Sequence, residues 1–172
     1  MKQLFPLLLL LTLILPAAAA ELPVTRAKFV QARCVCAGAV PYDGNGPFSD
    51  VPLDHPAATA VAWAHDLGVV RGTGGELFTP DRPITREEAA MLLRRYASHL
   101  GRDTFLPDGP SLCNDNEGIS PWADDSLYWA TQTGLLEWSP GGLLDPHGTF
   151  TTQQMDAVLS RFFDCACVSA QR

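Results

Sequence analysis

Five cysteines are the most reactive side chains in this sequence of 172 residues. Cys34 and Cys36 form one Cys-x-Cys pair, Cys165 and Cys167 form another, and Cys113 lies between them. Four thiolates could bind zinc, but zinc sites usually use Cys-x2-Cys spacing. Disulfides are the alternative if the chain is exported, and the odd number leaves at least one thiol free or paired between molecules.

The remaining polar residues do not predict an enzyme. No serine-nucleophile, zinc-protease or phosphate-loop motif is present. The segment 114–118 resembles a calcium loop only faintly, because it lacks alternating ligands and a distal glutamate. The pair Asp124 and Asp125 fits the start of a helix better than a catalytic site. The histidines have no metal-ligand spacing and are interpreted as surface or loop residues: His55, His65, His99 and His147. We therefore predict no catalytic activity, no cofactor and no metal.

Residues 1–20 are predicted to be a secretory signal peptide. Lys2 precedes the apolar run Leu7 to Leu15, and Ala17 to Ala20 offer small residues for cleavage. The run is too short to span a bilayer, so no membrane span is expected after cleavage. Without Lys2 the chain has 11 basic and 19 acidic side chains. This excess argues against nucleic-acid binding, and an anionic ligand would have to be held by local arginines.

An internal repeat organises the rest of the chain. Residues 57–96 align with residues 123–162 at an offset of 66 without a gap, so that Trp63 meets Trp129. A shorter copy, residues 22–29, matches residues 82–89 at an offset of 60 and holds only the second half of the unit.

Each full unit reads as helix, loop and helix. Helical periodicity predicts outer helices near 55–67 and 121–133, and second-half helices near 25–37, 85–99 and 151–163. Thr85 with Glu88, and Thr151 with Gln154, form predicted capping boxes. Lys28 stands where the first copy needs an acid or amide, so its helix should fray at the start. The Cys-x-Cys pairs, near the ends of the first and last second-half helices, could approach each other.

The order and spacing of several segments resemble the S-layer homology (SLH) domain. The segments are Phe48-Ser49-Asp50-Val51, Ala60 to Ala64, Gly68-Val69-Val70, Phe78-Thr79-Pro80 and Ile84-Thr85-Arg86-Glu87-Glu88. A second copy runs from Ile119 to Phe163, and Leu22 to Gly38 resembles the tail half of another. The resemblance divides the chain into a half repeat (21–47), a repeat (48–101) and a repeat with a preceding linker (102–172).

The resemblance implies a mostly α fold. Three second-half helices would form a central bundle with outer prong helices around it, a pseudo-trimer with one prong incomplete. It also implies noncovalent attachment of a secreted protein to the cell wall or S-layer. The partner would be a secondary cell-wall polymer carrying pyruvate ketals, or a peptidoglycan-linked glycan, bound in grooves between repeats. Because no cargo domain is evident, the alternative is a degenerate SLH protein that binds an envelope protein partner or assists envelope assembly.

Ligand-binding residues are expected where the resemblance places the grooves. An arginine in the first turn of a helix offers a planar donor fork to a carboxylate, beside unpaired amides. An exposed aromatic supports a sugar face, and glycines admit a ligand close to the backbone. The expected ligand-binding residues are Arg86, Arg26, Trp122, Thr85, Gly72, Gly74 and Asp50. Thr152 replaces the arginine of the last copy and Pro56 replaces the tryptophan of the middle copy. One groove combining Arg86 with Trp122 is therefore predicted.

Overall fold

The computed structural model describes residues 22–37, 46–106 and 115–169, so the predicted signal peptide lies outside the described residues. Within these ranges the chain is mostly helical, as predicted, and β-structure is limited to isolated bridges. No helix in the described ranges is long and apolar enough to cross a membrane. The helices are α1 (Arg26–Ala37), α2 (Ala58–Asp66), α3 (Arg86–His99), a 3-10 helix (Asn116–Gly118), α4 (Asp124–Gln132) and α5 (Thr152–Ser169).

The predicted capping boxes start α3 and α5. The Thr85 hydroxyl accepts from the amide of Glu88 at 3.3 Å, and the Glu88 carboxylate accepts from the amide of Thr85 at 3.1 Å. Thr151 and Gln154 exchange the same two bonds at 3.2 and 2.9 Å. These bonds occupy amides that a helix start otherwise leaves without partners.

The expected fraying of α1 is not found. Thr25 still accepts from the amide of Lys28 at 3.2 Å, although Lys28 cannot return a bond. The amide of Arg26 instead donates to the carbonyl of Arg82 at 2.9 Å, and the Lys28 ammonium donates to the Thr152 hydroxyl at 3.0 Å. Contacts with other repeats therefore hold the start of α1 in place of the missing half of the box.

The most extensive helix pairs lie across repeats. The second-half helix α1 packs against α2 of the next copy, and α3 packs against α4 of the copy after that. The three segments that lead into α1, α3 and α5 converge at Val24, Ile84 and Phe150, all of which are buried. Ile84 donates its amide to the Val24 carbonyl at 3.0 Å, and Val24 donates to Phe150 at 2.8 Å. This convergence joins all three copies in one core.

An aspartate organises the turn of each full repeat. Asp50 accepts from the amides of Phe78 and Thr79 at 2.8 and 2.7 Å. Asp115 accepts from Leu144 and Asp145 at the same two distances. The second residue of each pair has a positive φ, 56° at Thr79 and 50° at Asp145, and the carboxylate holds this uncommon conformation. Cys113, beside this position, lies outside the described residues.

The flank of α5 differs from those of α1 and α3, since no outer helix follows it in the part of the chain that is described. Val30 in α1 and Ala90 in α3 are buried at equivalent positions, whereas Asp156 is exposed in α5. Gln153, Ser160 and Asp164 extend this exposed polar surface. The side of α5 that corresponds to the outer-helix contacts of α1 and α3 is thus polar.

Removing the Asp50 carboxylate tests its role in the turn. We expect Asp50→Ala to lower the free energy of unfolding by about 1–3 kcal/mol, because two amides lose a charged acceptor at a strained turn. Urea unfolding followed by circular dichroism measures this change. Asp54→Ala, which alters an exposed aspartate four residues later, is the matched control and should unfold like the wild type. Equal losses from both variants would contradict the role of Asp50.

Candidate functional site

Arg26 and Arg86, the two expected ligand-binding arginines, are buried and bonded to the repeat that follows each of them. The Arg26 Nε donates to the carbonyl of Phe78 at 2.9 Å, and its guanidinium lies 4.8 Å from the centre of the Phe78 ring. The Arg86 Nε donates to the carbonyl of Leu144 at 2.8 Å, and its Nη2 donates to the carbonyl of Glu137 at 2.6 Å. Each arginine therefore joins one repeat to the next.

The amides at the starts of α1 and α3 are also occupied. Arg26 and Ala27 donate theirs to the carbonyls of Arg82 and Pro80. Arg86 and Glu87 donate theirs to the carbonyls of Gly148 and Pro146. The expectation that unpaired helix amides are available to a ligand is therefore wrong for these two helices.

A basic groove lies between the repeats beside Arg26, and we call it groove A. Its cavity volume is about 390 Å³. Four arginines face it against a single carboxylate, which makes it strongly cationic in an acidic chain. Its charged and polar lining residues, together with the tryptophan and glycine that bound it, are Arg26, Arg71, Gly72, Thr73, Arg82, Glu88, Arg95 and Trp122.

Glu88 neutralises one part of groove A. Its Oε1 lies 3.0 Å from Arg26 Nη1 and also accepts from Arg82 Nη2. Burial alone raises the pKa of Glu88, but the hydrogen bond from Arg82 and the charge of Arg26 outweigh burial, and the pKa falls below its ordinary value of 4.5. For Arg26, burial lowers the pKa of the guanidinium, and the charge of the Glu88 carboxylate opposes that effect. In this cluster two guanidinium groups share one carboxylate.

The other part of groove A contains two arginines without a carboxylate partner among the described residues. Arg95 donates from Nη1 to the carbonyl of Val69 at 3.3 Å. Arg71 is exposed and has no hydrogen bond or ion pair within the described ranges. Burial lowers the pKa of Arg95, and the charge of Arg71 lowers it further. Two cations close enough to repel each other form a ready position for an anion.

Trp122 and Gly72 bound the same groove. The Trp122 side chain is 53% exposed, so the ring is available to a ligand. Gly72 has φ +75°, and a Cβ placed on it would lie 2.7 Å from the Leu77 carbonyl oxygen and from the Phe48 ring. No other residue fits this position without moving the Leu77 backbone and the Phe48 ring, and the positive φ also favours glycine.

A second, smaller groove lies beside Arg86 at the next repeat interface, and we call it groove B. Its cavity volume is about 70 Å³. It is lined by Arg86, Leu136, Glu137, Phe150, Gln154, Ala157, Val158 and Arg161. Arg161 forms an ion pair with Glu137 across it. Groove B therefore has a smaller volume than groove A, and its cation Arg161 is already paired with Glu137.

The structure distributes the expected site residues over different places. Trp122 and Gly72 line groove A with Arg26, whereas Arg86 lines groove B, so the groove expected to combine Arg86 with Trp122 is not formed. Three other expected residues line neither groove: Thr85 caps α3, Asp50 holds the turn, and Gly74 lies in the loop with φ +112°.

Sequence reasoning missed Arg71, Arg82 and Arg95 as lining residues. Arg95 aligns with Arg161 across the repeat, a match that by itself indicates only repetition. Arg71 directly precedes Gly72, and this neighbour was the available signal.

Metal binding finds no support in the described residues. No group of three or more histidine, cysteine or acidic side chains there could hold a metal ion. The predictions for the cysteines, whether disulfide or zinc, lie outside the described residues, since the structure describes none of those five side chains.

The architecture is that of a helical repeat module with clefts between its units. The sequence profile of the S-layer homology domain matches residues 47–90. This match spans the turn of Asp50, α2 and the start of α3. The S-layer homology domain is a module of cell-envelope attachment and not a catalytic one.

Relatives named as surface proteins and as enzymes share this part. The chain is 31% identical to an endoglucanase of Bacillus sp. (strain KSM-635) over 138 residues, covering 80% of the chain and 14% of the enzyme. It is 28% identical to a cell surface protein of Thermoanaerobacter kivui, covering 72% and 16%. It is 25% identical to a cellulosome-anchoring protein of Acetivibrio thermocellus, covering 66% and 25%. The chain thus spans only a small part of these relatives.

Acid titration tests the cluster around Glu88. Because the folded-state pKa of Glu88 is lowered, its stabilisation is fully present above about pH 4.5 and is lost as the pH falls through the folded-state value. We expect Glu88→Gln to cost about 1–3 kcal/mol of unfolding free energy at pH 7 and progressively less in acid. Gln154 caps α5 in the same way, so the variant keeps a capping residue.

Chemical unfolding at several pH values measures this difference. The control is Glu117→Gln, which changes an exposed glutamate and should follow the wild type at every pH. A cost for Glu88→Gln that stays constant from pH 7 to pH 3 would show that the Glu88 charge does not stabilise the fold.

Proposed function

We propose that this chain attaches noncovalently to the cell envelope by binding a carboxylated cell-wall glycan in groove A. The observation that carries the proposal is the pair Arg71 and Arg95, which face one cavity without a carboxylate partner among the described residues. The relatives named for cell-surface and anchoring roles support attachment as the purpose of such binding. The protein would act as a secreted, wall-associated binder and not as an enzyme.

An anion between Arg71 and Arg95 satisfies both side chains. Arg95 uses Nη1 on the Val69 carbonyl and keeps further N–H donors for a ligand. A carboxylate accepts two parallel hydrogen bonds from a guanidinium and also offsets the repulsion between the two cations. Arg26 and Arg82, in contrast, already share Glu88. The ligand carboxylate therefore belongs at the Arg71 side of groove A.

The rest of groove A suits a sugar. Trp122 presents an exposed indole on which an apolar sugar face can rest. The cavity of about 390 Å³ lies at the lower end of the range for small-molecule sites, about 300–1,000 Å³, and has room for a substituted monosaccharide unit. A pyruvate ketal joins both features, since it fixes one carboxylate rigidly to a sugar ring. A secondary cell-wall polymer with pyruvate ketals is accordingly the proposed ligand.

Arg71→Ala tests the carboxylate position. Because Arg71 is exposed and makes no ion pair with a described residue, the variant should fold like the wild type. We expect its affinity for pyruvylated wall polymer to fall by about tenfold to a hundredfold, the loss typical of a charge-assisted hydrogen bond. Sedimentation of the protein with purified polymer measures the affinity. Polymer freed of its ketals by mild acid should bind neither protein.

Trp122→Ala tests the sugar platform. We expect it to weaken polymer binding by about tenfold without changing the thermal unfolding temperature. Trp138→Ala is the matched control, because Trp138 is similarly exposed, at 44%, and does not line groove A. Unchanged binding by both Arg71→Ala and Trp122→Ala would place the ligand elsewhere. Binding that survives removal of the ketals would exclude a carboxylate as the recognised group.

A further inference from the structure

We infer that the carboxylate of Glu137 is an internal occupant of groove B, where it takes the position that the glycan carboxylate takes in groove A. The described part of the chain would then bind one anionic glycan unit, although it forms grooves at two corresponding repeat interfaces. This inference rests on the proposed function of groove A. Beyond that function, the inference states that one ligand is bound and that Glu137 closes the second groove. It also states which edge of the arginine the ligand carboxylate contacts.

The two grooves correspond residue by residue. At the offset of 66, Arg95 in groove A corresponds to Arg161 in groove B, and Arg71 corresponds to Glu137. At the offset of 60, Arg26 corresponds to Arg86. The position beside the anion site is therefore a cation, Arg71, in groove A and an anion, Glu137, in groove B.

The corresponding arginines are held in the same way. Arg95 Nη1 donates to the carbonyl of Val69 at 3.3 Å, and Arg161 Nη1 donates to the carbonyl of Leu135 at 3.3 Å. In groove B the Nη2 of Arg161 contacts Oε1 of Glu137. In groove A no described carboxylate reaches the same edge of Arg95. The position of the Glu137 carboxylate thus marks where a ligand carboxylate would lie on Arg95.

The backbone of Glu137 is fixed while its side chain is not packed. Its carbonyl accepts from Arg86 Nη2 at 2.6 Å, so the residue stays at the edge of groove B. Its side chain is 76% exposed and makes no contribution to the buried core. Substitution at this position should therefore change the charge of groove B and leave the fold intact.

The cavity volumes agree with an occupied groove B. Groove A holds about 390 Å³ and groove B about 70 Å³. Trp138 also stands at the position of Gly72, and Gly148 stands at the position of Arg82. Groove B thus lacks space for a whole sugar but keeps Arg161, a guanidinium able to bind a carboxylate once Glu137 is neutralised.

Arginine side-chain NMR separates the two grooves. The probe is a synthetic monosaccharide with a pyruvate ketal, and the same sugar without the ketal is the control. The Nε–Hε signals of Arg95 and Arg161 are assigned with Arg95→Lys and Arg161→Lys variants. In the wild type we expect the ketal sugar to shift the Arg95 signal and to leave Arg161 unchanged. In Glu137→Gln we expect both signals to shift, with weaker binding at Arg161.

The converse variant is Arg71→Glu, which gives groove A the residue of groove B. We expect it to abolish the shift of Arg95, whereas Arg71→Gln should only weaken it. A shift of Arg161 in the wild type, or none in Glu137→Gln while Arg95 still responds, would overturn the inference and leave the proposed function standing. Absence of any Arg95 shift in the wild type would instead overturn the proposed function.

Discussion

The fold depends on hydrogen bonds that the second-half helices α1 and α3 make to the loop of the following repeat. Arg26 and Arg86 place guanidinium groups in the interior, and a buried charge is tolerated only when it is bonded. The two guanidinium groups donate to the backbone carbonyls of Phe78 and Leu144, which lie one repeat further along the chain. The first amides of α1 and α3 use the same loops. The starts of α1 and α3 are therefore complete only when the next repeat is folded, which couples neighbouring repeats.

This dependence explains the third copy. An arginine at Thr152 would need a loop from a further repeat, and none follows α5 among the described residues. Thr152 instead accepts a hydrogen bond from Lys28 of the first copy, which joins the two ends of the array. Asp156 likewise replaces the buried Val30 and Ala90 where an outer helix would pack. Thr152 and Asp156, which look like decay in the sequence, therefore fit the absence of a following loop and outer helix among the described residues.

Much of the fold could be predicted from the sequence, because helix periodicity, capping boxes and the repeat offset are local signals. Thr85 and Thr151 start their helices as expected. The site was harder, because an arginine beside a helix start has the same local sequence whether it binds a ligand or a carbonyl of the next repeat. The roles of Arg86 and Arg71 depend on which groups lie opposite them across an interface, and no spacing within one repeat encodes that.

The arginines fall into two groups according to what faces them. Arg26, Arg82 and Arg86 meet carbonyls or Glu88, and their desolvation is offset within the protein. Arg71 and Arg95 line groove A without a carboxylate partner among the described residues. At physiological ionic strength charges further apart than about 8 Å are largely screened, so the acidic surface does not govern binding inside groove A. The local excess of cations governs binding there, and in groove B the Glu137 carboxylate pairs with Arg161, the counterpart of Arg95.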